Sequence, residues 1–254
     1  MSALAPLVIG SVLLMEDGEA AAPAHVGTAF LDESTVHTST TDANERIQIA
    51  LGKKPGRFLY EVPFQSESDV GGATISGRNA SIVSCSPAAV WMLLSATENI
   101  PSGSTFADFI AQAANGRHPQ WGWTHQGFQE TAQGYDVTLE VNDYGDQERF
   151  TKGEAWEQLV QDLARSPVAV SIRQIDPITK VPETRNTHMI VLRGAESNGQ
   201  GDVTFFVNDP IAKSPTTPRN PAGPQARDRR VGVTSLSGGF VQDSFLGRWL
   251  ALAE

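Results

Sequence analysis

The chain has a single cysteine, Cys85, among 254 residues, which excludes an intramolecular disulfide. No Cys/His spacing fits a structural zinc site either, so neither a crosslink nor a metal staples this fold and packing must hold it. Positive charge is also scarce: 19 Lys and Arg against 29 Asp and Glu leave a formal net charge of −10. Nucleic acid or an anionic membrane surface would call for clustered cations. The one basic cluster, Arg227-Asp228-Arg229-Arg230, is short and broken by an acid, as in a solvated loop or a set of ion pairs. No nucleic-acid partner is expected. Long apolar runs are missing as well, since none reaches the roughly 20 residues needed to span a bilayer.

The apolar stretch Ala3 to Leu14 has the length of a signal-peptide core, and the alanines at 20–22 could supply a cleavage site. No Lys or Arg precedes the stretch, however, and acids follow it. The competing reading is a pair of strands turning at Glu16-Asp17-Gly18. Secretion and a cytoplasmic location both stay open, as does the oligomeric state.

What is present is an ordinary globular composition, 40% apolar and 19% charged, in a chain long enough for one large domain or one domain with a small appendage. Residues 1–57 read as short apolar runs between Gly, Asp, Ser and Thr, an accessory β-rich region or a pro-segment ahead of a main domain at 58–254. Within the latter, a strand over Phe58 to Phe64 delivers Gln65, and a polar, Gly-rich loop leads to an apolar helix that begins at Cys85. Helices follow at about Thr105 to Ala114, with a Ser/Thr cap, Thr124 to Gln133, ending at Gly134, and Gly153 to Arg165. Tyr135 to Val141 alternates like a strand. Val168 to Arg173 reads as a buried strand, and His188 to Leu192 and Val203 to Val207 as antiparallel neighbours. Helices first and sheet second is an α+β pattern. Ala212 to Arg230, rich in Pro, Thr, Arg and Gly, reads as a long surface loop.

The chemistry begins at Cys85. A helix N-terminus presents unpaired N–H groups and a partial positive charge, which favour thiolate over thiol. A thiol nucleophile also needs a base and a group that fixes the base's tautomer. His188 at a strand start and Asn208-Asp209 at the end of the next strand have the right types and order. Strand alternation lets only one of Asn208 and Asp209 face His188. Gln65, at a strand end upstream of the cysteine, is the obvious side-chain amide for an oxyanion. This chemistry requires no cofactor and no metal.

Other residues carry less. His118 and His125 flank Trp121-Gly122-Trp123; their spacing is poor for a metal on one helix face, and a loop with aromatic anchors is the better reading. His25 and His37 carry no signal. Phe245 and Trp249, four apart, read as core packing on a helix.

The ordered set Val62-Pro63-Phe64-Gln65, Ser84-Cys85-Ser86-Pro87-Ala88-Ala89-Val90-Trp91-Met92-Leu93, His188-Met189-Ile190-Val191-Leu192-Arg193-Gly194 and Val207-Asn208-Asp209-Pro210 resembles the papain-like cysteine peptidases of family thirty-nine. These include the leader peptidases that cut bacteriocin precursors after double glycine, and stand-alone, mostly secreted bacterial relatives with Cys-Ser-Pro. The helix before Ser166-Pro167-Val168 and the closing Phe245 and Trp249 are similar to the family's segments too. The resemblance implies an α+β papain-like fold, with the nucleophile's helix packed on an antiparallel sheet. By position it implies Cys85 as nucleophile, His188 as base, Asp209 as orienter and Gln65 as oxyanion donor, acting on a peptide or protein substrate. Two features depart from the leader peptidases: Ser86 stands where they have Gly, and Gln65 lies farther from the cysteine. The rival readings are an acyl or peptidyl transferase using the same site, and a non-catalytic peptide-binding module.

Overall fold

The computed structural model describes residues 42–70, 74–75, 78–79, 84–97, 99–118, 122–144, 152–175, 182–211 and 233–253. Along these the chain forms α1 (Ala43–Ala50), β1 (Pro55–Leu59), a short hairpin β2 (Thr74–Ile75) and β3 (Arg78–Asn79), and α2 (Cys85–Ser95). Then come α3 (Phe106–Ala113), α4 (His125–Gln133), β4 (Leu139–Asp143), α5 (Lys152–Arg165), β5 (Val168–Ile175) and β6 (Pro182–Asn198). β7 (Val203–Asn208), β8 (Val233–Ser237), α6 (Gly238–Ser244) and β9 (Phe245–Leu252) complete the series. The strands other than the hairpin make one seven-stranded sheet in the order β4-β9-β5-β6-β7-β8, with β1 also on β6. Every neighbouring pair in it is antiparallel. The fold is α+β, as its sequence pattern implies.

Alternation along the central strands explains why helices cover both faces. Successive side chains of a strand point to opposite sides. Ala169, Met189, Val191 and Leu250 enter one core with α2, α3 and α4. Val168, Val170, Ile172, Ile190, Leu192, Trp249 and Ala251 enter a second core with α1, α5 and α6. α2 is buried from Pro87 through Leu94, because a helix apolar all round is stable only when covered. Burying each of its large side chains contributes about 1.5–3 kcal/mol, which offsets the missing side-chain cap at Ser84.

On the far side from α2, Asp162 of α5 staples three elements. Its carboxylate accepts from Trp249 Nε1 (2.8 Å), Gln158 Nε2 (3.1 Å), Arg165 (3.2 Å) and Asn142 Nδ2 (3.4 Å). With donors on all sides, this buried carboxylate is satisfied.

Several elements differ from the sequence reading. Residues 43–50, expected in a β-rich stretch, are helical: Asp42 caps α1 by accepting from the Glu45 N–H, and Ile49 and Ala50 enter the second core. β1 is shorter than expected at its C-terminal end, and Tyr60 to Phe64 leave it without a regular strand. β4 begins later than Tyr135. Phe245 and Trp249 are core residues, but on strand β9 rather than a helix. Positions four apart share a face in either element, so that spacing alone does not discriminate. The signal-peptide candidate at 1–22 and the loop at 212–230 lie outside the described residues.

Candidate active site

β6 is the longest strand, and its neighbours change along it. β5 pairs with its first part, through His188 opposite Ile172 and Met189 opposite Ser171. β7 pairs only with its second part, ending with Asn208 opposite Val191. The edge of β6 at His188 and Met189 therefore lies just beyond the end of β7, and the first turn of α2 meets it there.

Cys85 is the first residue of α2 and is half-buried. The first intrahelical bond runs from the Ala88 N–H to the Ser84 carbonyl, so the N–H groups of Cys85 and Ser86 precede the helical ladder. Pro87 costs nothing here, since a first-turn N–H has no helical partner to lose. The sulfur lies 3.9 Å from Ser86 Oγ and accepts from the Met189 backbone N–H. Burial pushes the thiol up, and the charge of Glu67 adds to that. The hydrogen bond and positive charge of His188, with the Met189 donor, outweigh both, and the thiol titrates below its ordinary value.

His188 is buried, and its Nε2 meets Asp209 Oδ1 at 2.7 Å. Nε2 being so engaged, Nδ1 is the nitrogen left for Cys85. Burial alone would push the imidazole down, but the charge and hydrogen bond of Asp209, followed by those of Cys85, hold it well above the ordinary histidine value. Both shifts favour the charged forms of the pair, thiolate on Cys85 and imidazolium on His188.

Asp209 follows the last residue of β7. Its Oδ1 also accepts from the Ile211 N–H at 3.1 Å, which fixes the carboxylate against the chain. Asn208, the other candidate orienter, points elsewhere: it is fully buried and its Nδ2 donates to the Val62 carbonyl at 3.1 Å. Alternation thus sends Asp209 to His188 and Asn208 away from it.

Gln65 is half-buried in the segment leaving β1, and its Nε2 donates to the Ser66 carbonyl at 3.0 Å. Among the described residues it makes no hydrogen bond to Cys85. Its segment does come to the site, because Glu67, two residues on, acts electrostatically on the thiol. That segment is held at both ends, by the Tyr60 N–H on the Arg193 carbonyl (2.7 Å) and the Glu67 N–H on the Pro210 carbonyl (2.9 Å). Close approach of β1 to β6 requires Gly194, whose added Cβ would lie 2.2 Å from the Phe58 carbonyl oxygen.

Three contributors escape a sequence reading. The Met189 donor is backbone and has no residue signature. Glu67 lies in a polar loop with other acids around it. Ser171, opposite Met189, meets His125 Nε2 at 3.2 Å, so His125 packs behind the site while His118 makes a backbone bridge to Gly122. Burial, the leading cause, pushes His125 down to about 4. Among the described residues no group of three or more His, Cys, Asp or Glu is placed to hold a metal ion, and no helix is long and apolar enough to cross a membrane.

No curated protein matches the chain. Among the solved structures similar to it are two peptidases. One is a double glycine motif protease from an AMS/PCAT transporter, solved in complex with the leader peptide: 13% identity, TM-score 0.42, covering 76% of this chain and 92% of that one. The other is the peptidase domain of Streptococcus mutans ComA: 17% identity, TM-score 0.31, covering 62% of this chain and all of that one. Residues 60–223, which take in Gln65, Cys85, His188 and Asp209, match the Peptidase_C39 like family, and the chain belongs to that family of cysteine peptidase-like proteins.

Proposed function

We propose that the protein is a cysteine peptidase or amidohydrolase that cleaves a peptide or amide bond through an acyl-enzyme on Cys85. The observation that carries this reading is the connected line Cys85, His188, Asp209, with the thiol held low and the imidazole held high. The Cys85 thiolate attacks the carbonyl carbon, and the carbonyl electron pair moves onto oxygen. The Gln65 amide and the Cys85 backbone N–H donate to that oxyanion; removing such a donor typically costs about 10² to 10³ in turnover. Protonated His188 passes its Nδ1 proton to the leaving amine as the C–N bond breaks, leaving a thioester. Neutral His188 then takes a proton from water, the resulting hydroxide attacks the thioester, and the carboxylic acid leaves with the thiolate and imidazolium restored. Throughout, Asp209 keeps the ring oriented and its charge compensated.

The full chain incubated with benzyloxycarbonyl-glycine p-nitrophenyl ester is expected to release one equivalent of nitrophenolate in a burst, with acylation mapping to Cys85. A peptide library read by mass spectrometry is expected to gain new termini that are missing with Cys85→Ala. An ordinary, unreactive thiol with no burst would sink the proposal. A burst without amide cleavage, accelerated by added amine, would move it to acyl transfer.

A further inference from the structure

Asn208 ends an apolar, buried run, Phe205-Phe206-Val207, and is itself fully buried. Its Nδ2 has the Val62 carbonyl, but its Oδ1 is buried with no hydrogen-bond partner among the described residues. A leucine of similar shape would avoid that orphaned acceptor but would leave the Val62 carbonyl without its donor. What the amide provides is one bond to the main chain of the segment that carries Gln65.

Pro210, on the other side of Asp209, grips the same segment. Its carbonyl accepts from the Glu67 N–H (2.9 Å) and from Ser66 Oγ (3.4 Å). Ser66 Oγ in turn accepts from the Ser68 N–H at 3.2 Å and meets Ser68 Oγ at 2.8 Å, which stiffens the turn. Asn208-Asp209-Pro210 therefore holds the chain before Gln65 at Val62 and after it at Ser66 and Glu67, while its middle residue holds His188.

We infer that Asn208 is a positioning residue that sets the Gln65 amide in register with the Cys85–His188 pair, so one tripeptide aligns both base and oxyanion donor. This rests on the reading of Gln65 as oxyanion donor. Asn208 touches neither reacting atom; it acts through the Val62 carbonyl and the short stretch of chain between there and Gln65. Displacement of a donor by a fraction of an ångström weakens it in the transition state and leaves the nucleophile as reactive as before.

Two reactions of Cys85 separate these effects. Acylation by p-nitrophenyl acetate passes through a tetrahedral oxyanion, whereas alkylation by iodoacetamide displaces iodide and forms none. In the full chain, Asn208→Leu is expected to slow acylation roughly tenfold. Alkylation and its pH profile should stay within about twofold, because the Cys85–His188–Asp209 line is untouched. In a Gln65→Ala background the same substitution should change acylation by less than about twofold. Ser66→Ala, which removes only a hydroxyl, should give the same pattern in smaller measure and serves if Asn208→Leu fails to fold.

Equal losses in both reactions, unchanged acylation, or effects that multiply with Gln65→Ala would each overturn the role assigned to Asn208. Failure of the underlying reading looks different, as Gln65→Ala alone would then be acylated as fast as wild type.

Discussion

Two histidines, the buried His188 and the half-buried His125, titrate in opposite directions. His188 on β6 is held well above the ordinary value, whereas His125 at the start of α4 is pushed down to about 4. Burial disfavours the cation at both, so the difference lies in the partner. His188 has the carboxylate of Asp209 at 2.7 Å and the thiol of Cys85. Among the described residues, the side-chain hydrogen bond of His125 is to the hydroxyl of Ser171 at 3.2 Å. The charges of Asp143 and Arg248 act on it in opposite senses, and those two are themselves paired at 2.8 Å. A histidine buried beside a net negative partner is a proton reservoir. One buried beside a neutral hydroxyl is a packing residue that resists protonation.

The largest test of this contrast is His188→Ala. Without the imidazolium, the burial and Glu67 effects on Cys85 outweigh the remaining Met189 donor, and the thiol is expected to rise above its ordinary value. Acylation should fall roughly 10² to 10⁴-fold, the usual contribution of a positioned acid–base group. Iodoacetamide alkylation near neutrality should collapse with it. Alkylation of the variant that still tracks wild type below pH 7 would mean that the helix N-terminus, and not His188, activates the sulfur.

Asp209→Asn should have a smaller effect and makes His188 resemble His125. The shape survives, but the charge that leads the upward shift is gone, so the imidazole titration followed by NMR should move down. The raised value also carries stability. A histidine whose folded value exceeds its unfolded one of about 6.5 contributes fully below that pH and loses the contribution as the pH rises through the folded value. The variant should therefore lose stability chiefly in the acidic and neutral range and converge on wild type in alkali. An unmoved titration would assign the shift to Cys85 alone.

How much of this was legible beforehand depends on what each residue needs in order to be recognised. Cys85 was visible because it is the sole thiol and opens an apolar helix, both local facts. His188 and Asp209 are legible as a pair because neighbouring antiparallel strands can bring them together, although His188 lies within β6 (Pro182–Asn198) and not at a strand start. The choice between Asn208 and Asp209 was not, since alternation says that they diverge without saying which faces the histidine. The register of β7 on β6, with Asn208 opposite Val191, decides that, and register depends on long-range pairing. Helix α1 was hidden by its weak amphipathicity: Asp42 and Glu45 are a legible cap, but its burial depends on α5, more than a hundred residues away. The spacing of Phe245 and Trp249 marks them as core but does not tell helix from strand, because both periodicities allow it.

The smallest effect is expected at His125, and it completes the contrast. Its folded value of about 4 lies below the unfolded 6.5, so between these pH values the unfolded chain binds the extra proton. Stability attributable to this site is then intact above about pH 6.5 and is lost as the pH falls toward 4. A full shift of that size would be worth about 1.4 kcal/mol per unit, and partial exposure of the ring reduces the total to roughly 2 kcal/mol. His125→Gln keeps a hydrogen bond to the Ser171 hydroxyl and cannot take up the proton. Urea unfolding of wild type and variant should therefore differ most in the pH dependence of stability between 6.5 and 4, with a flatter curve for the variant. Alkylation of Cys85 at pH 7 should be the same in both, because His125 is already neutral there and adds no charge to the site. If the acid slope is unchanged, His125 is open enough to protonate in the folded chain. The two histidines would then differ in exposure rather than in partner.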